Sequence, residues 1–325
     1  MRQIRAWLRL NMPIVIIAGL IDPLLGLMKP LPASTAWLGV LAAFPVAAWI
    51  LLDFARRGHG ARVLDDEGRI TLGPSFAAAT RHTFWHAAWP HALNVAYSLG
   101  YTCLFFSSGR SHPHVMGVWV STVLLLTILN DGQLRTRLKN WKPWLALGML
   151  ASSLIIMASV ETAPAELKRD LEFWELVASN VILVALGTIV WLMVRCHKLN
   201  GKWAWVIGLG SFAAASWILR DFSLHAGILH IVDGKVNMQA IYNRALIHTL
   251  AYCAWPHALN VFFSLGFQTL AEKTGSFATA IAAWLAMTVL VPLLYSLPQF
   301  LSSWQLPVAM VLMATAGYLL WKTSK

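Results

Sequence analysis

The sequence predicts an all-α polytopic membrane protein of about ten transmembrane helices, built as two five-helix repeats of inverted topology. Three observations predict it. Hydrophobic residues make up 58% of the 325-residue chain and charged residues only 12%, with a mean hydropathy of +0.61; a soluble chain carries about 25% charged residues. Apolar runs long enough to span a bilayer recur from end to end, whereas a transmembrane β-barrel would show short alternating segments. One stretch also occurs twice: AWPHALNVAYSLGY at 88–101 returns as AWPHALNVFFSLGF at 254–267, a displacement of 166 residues.

The first apolar run follows Arg2, Arg5 and Arg9, and no small-residue cleavage site comes after it, so it reads as a retained helix over about 12–28. The spans at 36–54, 84–107, 114–130 and 143–160 complete the first half. The second half holds 173–195, 203–221, 250–270, 276–296 and 304–321. A polar, acidic linker at 161–172 separates the sets, giving repeats of 1–162 and 163–325 within one integrated membrane domain. The repeat reaches well beyond the opening motif. At an offset of 168, Trp37, Phe44, Trp49, Asp53 and Phe54 match Trp205, Phe212, Trp217, Asp221 and Phe222; at 166, His82-Thr83 matches His248-Thr249. Self-similarity on this scale marks duplicated architecture.

Between the second and third spans of each half, VLDDEGRI at 63–70 and IVDGKV at 231–236 predict small hairpins. The segments after them are amphipathic; each is either a short interfacial helix or the first turns of a long span broken at the proline.

Lys and Arg set the orientation. The basic leader places the N-terminus, and with ten spans also the C-terminus, on the cytoplasmic side of a bacterial-type inner membrane. The loops holding Arg56, Arg57, Arg62 and Arg69, and Arg135, Arg137, Lys139 and Lys142, are then inside as well. An odd number of spans per half makes the repeat inverted. The net charge of +11 belongs to these loops and does not point to nucleic acid. Cys103, Cys196 and Cys253 are far apart and form neither a metal spacing nor a disulfide framework.

Polar residues inside apolar spans are the candidates for chemistry, because a bilayer penalises them. His91 and Asn94 share a helical face, as do His257 and Asn260, and Trp89 and Trp255 open the two copies of the motif. Pro90 and Pro256 remove a backbone donor, which is expected to free the carbonyls of His86 and Tyr252. A substrate site lined by these His, Asn and Trp residues is one reading; the other is that they only tie kinked helices to their neighbours. Asp22, Asp53, Asp221, His82 and His248 are candidates for proton coupling, since an acid or imidazole in apolar surroundings has a shifted affinity for protons. For Asp53 and Asp221 the plain alternative is a headgroup-level acid paired with an arginine such as Arg56 or Arg220. No helix presents an obvious metal pair, and a metal or haem would need His91 and His257 together across the two halves.

The layout of about 300 residues, ten spans and five-plus-five inverted symmetry resembles the drug/metabolite type of transporter over the whole chain, without a shared motif. That resemblance implies transport. The expectation is a secondary transporter or exporter of a small solute, working by alternating access in the bilayer, with proton coupling and no resident cofactor. A membrane redox protein holding haem or metal between the halves is the alternative, and an intramembrane enzyme acting on lipid or quinone is a third. The chain carries no Gly-rich phosphate loop, nucleophile elbow or HExxH pattern, so transport is preferred to catalysis.

Overall fold

A computed structural model describes residues 2–57, 62–107, 112–130, 173–194, 198–226, 231–232, 235–295 and 315. Among these the chain is helical, with one small sheet and no barrel. The helices are α1 (Arg2–Gly26), α2 (Val40–Arg57), α3 (Leu72–Trp85), α4 (Ala88–Ser107), α5 (His112–Asn130), α6 (Phe173–Val194), α7 (Ala204–Ala226), α8 (Met238–Ala251), α9 (Ala254–Thr274) and α10 (Phe277–Tyr295). Four helical stretches are long and apolar enough to cross a membrane: Arg2–Gly26, Ser34–Arg57, Trp174–Leu192 and Gly201–Ser223. Val115–Thr127 and Phe277–Val291 are shorter apolar helices. The expected spans at 143–160 and 304–321, the linker at 161–172 and the basic loop at 135–142 lie outside the described residues.

The expected spans at 84–107 and 250–270 correspond to α4 and α9, and of the two readings of the amphipathic segments before them the structure takes the first: they are separate helices, α3 and α8, and the break falls before the proline instead of at it. Pro90 and Pro256 stand in the first turn of the second helix, where the missing N–H would have no helical partner anyway and the fixed φ suits the start.

Both predicted hairpins show paired flanks, and each pairs onward with the other part of the chain. Strands β1 (Leu31–Pro32), β2 (Ile231–Val232) and β3 (Lys235–Val236) make an antiparallel sheet in the order β1-β3-β2. The first turn closes through a Leu64–Ile70 bridge, with Gly68 at φ 71° as its left-handed corner, and Ile70 bridges onward to Leu199. These contacts fix helix directions. The chain leaves β1 into α2 and arrives at the Leu64–Ile70 turn; it leaves Leu199 into α7 and arrives at β2. Helices α2 and α7 therefore run in opposite senses between the same two ends of the bundle. The motif helices diverge likewise. Cys103, near the end of α4, lies 3.3 Å (sulfur to sulfur) from Met238 beside the sheet, while Glu272, near the end of α9, accepts from the amides of Val63 (2.9 Å) and Leu64 (2.8 Å) beside the turn.

The core lies between α2, α4, α7 and α9. Phe44 packs edge-on to Trp119 and stacks on Tyr97; Phe212 packs edge-on to Trp284 and lies against Phe263. Gly100 and Gly266 allow the close approach, since a Cβ at Gly100 would lie 2.5 Å from the Phe44 ring and one at Gly266 2.7 Å from Phe212. Helices α1 and α6 are peripheral. Val15, Ile16, Ile17 and Leu20 on one, and Val181, Ile182, Val184 and Ile189 on the other, are exposed. An apolar surface of that extent suits acyl chains and would be a liability in water.

Candidate functional site

One asparagine holds each helix break. Asn11, buried in the otherwise exposed α1, donates from Nδ2 to the Trp85 carbonyl at the end of α3 (3.0 Å) and accepts from the Ala88 amide at the start of α4 (2.9 Å). Asn180 of α6 does the same in the second half, donating to the Ala251 carbonyl (2.8 Å) and accepting from the Ala254 amide (2.9 Å). Two backbone groups that a broken helix would leave bare are thus satisfied by a single side chain. The next amides, of Trp89 and Trp255, donate to the carbonyls of His86 (2.9 Å) and Tyr252 (2.8 Å). Those two carbonyls are therefore occupied, which corrects the expectation that the prolines free them. Sequence reasoning missed Asn11 and Asn180, although an amide inside an apolar span at nearly the repeat offset was a usable signal.

The indoles complete the anchoring. Trp89 Nε1 donates to the Leu10 carbonyl (3.2 Å) and Trp255 Nε1 to Ser179 Oγ (2.9 Å), so each motif helix is tied to its own half's first helix. Trp49 lies against Trp89 at 5.5 Å, as Trp217 does against Trp255 at 5.4 Å (ring centroids).

The two breaks meet. Helix α4 packs on α8 and α9 on α3, so each motif helix faces the helix that precedes the other motif. His91 and His257 touch edge to face, with ring centroids 5.2 Å apart and planes at 76°. His91 Nδ1 bonds to the Thr249 carbonyl at 3.1 Å and lies 3.3 Å from its hydroxyl. Because the carbonyl can only accept, Nδ1 carries the proton in that bond. His257 has the Phe84 ring at 5.1 Å, and its Nδ1 is buried with no hydrogen-bond partner among the described residues. Asn94 and Asn260 are fully buried one turn further on. Among the described residues neither the nitrogen nor the oxygen of the Asn94 amide has a partner; Asn260 donates to the Pro256 carbonyl (3.3 Å), and its oxygen has none among them. Ser264 Oγ and Thr83 Oγ1 are likewise buried without partners among the described residues, while Ser98 donates to the Phe222 carbonyl at 3.5 Å. Around the breaks the structure gathers imidazoles, amides and hydroxyls with unused hydrogen-bonding capacity, at about 1–3 kcal/mol for each buried group left unpaired.

The other candidates stand apart from this cluster. His82 packs on Phe54 (5.2 Å) and on His86 (4.1 Å), and His248 packs on Phe222 (4.9 Å) and on Tyr252 (4.4 Å), in matching tilted and edge-on arrangements. Asp53 pairs with Arg57 at 2.9 Å, one turn on along the same helix, and not with Arg56, which lies over the Phe277 ring. Asp22 accepts from Gln239 Nε2 at 3.1 Å, in the first turn of α8 beside the sheet, so it sits toward the sheet end of the bundle. Asp221 is partly buried in the last turns of α7. Among the described residues no three His, Cys, Asp or Glu side chains cluster as metal ligands.

Comparison with known proteins finds no family model that matches the chain, and no curated protein or solved structure similar to it.

Proposed function

We propose that this chain is a secondary transporter of a small, hydrogen-bonding solute, built as an inverted repeat of five plus five spans and working by alternating access. The observation that carries the reading is the meeting of two broken, sequence-matched helices at the His91–His257 contact, ringed by buried polar atoms that lack partners. Broken helices meeting at a pseudo-two-fold axis are how inverted-repeat transporters place a polar site within the bilayer. The opposite senses of α2 and α7, and the cross-pairing of each turn with the other half, support inversion. His91, Asn94, His257 and Asn260 would bind the solute, while Trp89 and Trp255 hold the motif helices in place. Coupling to protons would pass through the histidine pair or through Asp53 and Asp221. The basic N-terminal leader supports a cytoplasmic N-terminus in an inner-type membrane.

The redox alternative is less well supported. His91 and His257 are in direct edge-to-face contact, which leaves no slot between them for a macrocycle.

The test is a flux screen. Everted vesicles carrying the protein and a pH-sensitive dye are challenged with panels of cationic, anionic and neutral polar solutes. A solute class that collapses the proton gradient in the wild type, and fails to do so in the His91→Ala/His257→Ala variant, supports the reading. Equal responses in both, or a Soret band in the purified protein that the double variant lacks, would overturn it.

A further inference from the structure

The two halves agree closely except at one place. Phe54–His82 and Phe222–His248 differ by 0.3 Å in centroid distance, as do His82–His86 and His248–Tyr252, and the Trp pairs differ by 0.1 Å. The Asn11 and Asn180 bridges make the same bonds. At the motif helices the agreement stops. His91 and Ser98 of α4 bond across to the Thr249 and Phe222 carbonyls of the second half. Their repeat partners on α9, His257 and Ser264, would find the equivalent acceptors in Thr83 and Phe54, yet among the described residues His257 Nδ1, Ser264 Oγ and Thr83 Oγ1 are all buried without partners. The same residues in matched surroundings are latched on one side and unlatched on the other.

We infer that the His91–Thr249 and Ser98–Phe222 bonds are one setting of a two-state latch, and that the opposite setting bonds His257 to Thr83 and Ser264 to the Phe54 carbonyl. This rests on the transport reading, whose two openings it assigns to the two settings. Two arrangements of one repeated sequence are close in energy, so small differences in packing choose between them. The difference here is Phe84, whose aromatic ring lies against His257, where the matching position is Leu250, which has no ring to stack. In each setting the latched histidine donates from Nδ1, so closing the opposite latch needs His257 with its proton on Nδ1 and no change in net charge.

The experiment is solid-state NMR of the full chain in lipid vesicles with 15N-labelled histidine, assigning His91 and His257 by single substitution. In the wild type His91 is the one that shows a hydrogen-bonded, proton-bearing Nδ1. His91→Ala is expected to give His257 that signature, going from undetected to the dominant form of that ring. Phe84→Leu, which makes the two halves alike at that position and leaves both histidines in place, is expected to split each ring between bonded and unbonded forms. It serves as the test should His91→Ala fail to assemble. A His257 that stays unbonded in both variants overturns the latch. The flux screen separates this from the transport reading: exchange between the two rings without flux keeps the latch and removes transport, whereas flux with an unswitched His257 does the reverse.

Discussion

Asn11 carries more of this architecture than its place in an exposed helix suggests. It is 3% exposed, and its amide supplies both a donor and an acceptor across a helix break. Asn11→Ala is expected to leave the Trp85 carbonyl and the Ala88 amide without their partner, at up to about 1–3 kcal/mol each. Asn180→Ala should cost the same, because it strips the same two groups at Ala251 and Ala254. Asn11→Asp should recover only the bond from Ala88, since a carboxylate cannot donate to Trp85. Unfolding of the three variants by SDS, starting from mild detergent, checks the ranking; an unchanged midpoint for both alanine variants would show that the bridges are dispensable. Asp65 supplies the pH prediction. It lies outside the spans, and the Lys198 ammonium at 2.9 Å, helped by the Arg69 amide, holds its carboxyl below the usual range. A depressed carboxylate stabilises the fold at pH values above its unfolded pKa of about 3.9, and that contribution is lost as pH falls through the lower folded value. Lys198→Met should therefore move the Asp65 titration upward, read by 13C NMR of the carboxyl; no shift would show that the lysine is not its partner in the bilayer.

At the scale of elements, the packing of α2 on α4 and of α7 on α9 depends on two glycines. Gly100→Ala sets a methyl into the Phe44 ring, which can turn aside at a cost of about 1–3 kcal/mol for overpacking. Gly266→Ala should cost more. Its methyl would meet the Phe212 ring and also the Gly208 carbonyl oxygen at 2.9 Å, a backbone atom that cannot rotate away. Thermal inactivation in detergent should rank wild type above Gly100→Ala above Gly266→Ala, and the reverse order of the two variants would mean that α4 and not α9 is the tighter fit. Enlarging the cavity with Phe44→Leu should relieve the first substitution and leave the second unaffected, because the two contacts share no atoms.

On the scale of the whole molecule, the first and second parts of the chain are joined at one end by the β1-β3-β2 sheet and at the other by the Leu64–Ile70–Leu199 bridges. Glu272 is the clasp at the turn end, where its carboxylate accepts from the amides of Val63 and Leu64 and from Gln268 at 2.9 Å. Glu272→Leu should free the turn and raise backbone hydrogen exchange at 63–70, while exchange at the β1–β3 sheet stays at its wild-type rate. Equal loosening of both ends would show that the two clasps are one cooperative unit. The membrane reading was legible in composition, and the four long apolar helices are consistent with it. Where the motif helices begin was less legible, because an amphipathic segment ahead of a proline reads equally as a separate helix or as the first turns of a longer one.

What the sequence determined by itself was the repeated motif, the helical class and the apolar excess that suits a membrane. Identical hexapeptides of polar and apolar residues, an apolar excess and basic loops are properties of composition and spacing, which need no coordinates to act. Three things were decided only by the tertiary structure. The helix breaks fall before the prolines, because Asn11 and Asn180 reach in from other helices to cap them. His91 and His257 are neighbours because α4 and α9 pack together, a relation between residues 166 apart that no local pattern encodes. The unequal bonding of that pair, with His91 Nδ1 on the Thr249 carbonyl and His257 Nδ1 without a partner among the described residues, is a feature of packing that a repeated sequence cannot itself specify.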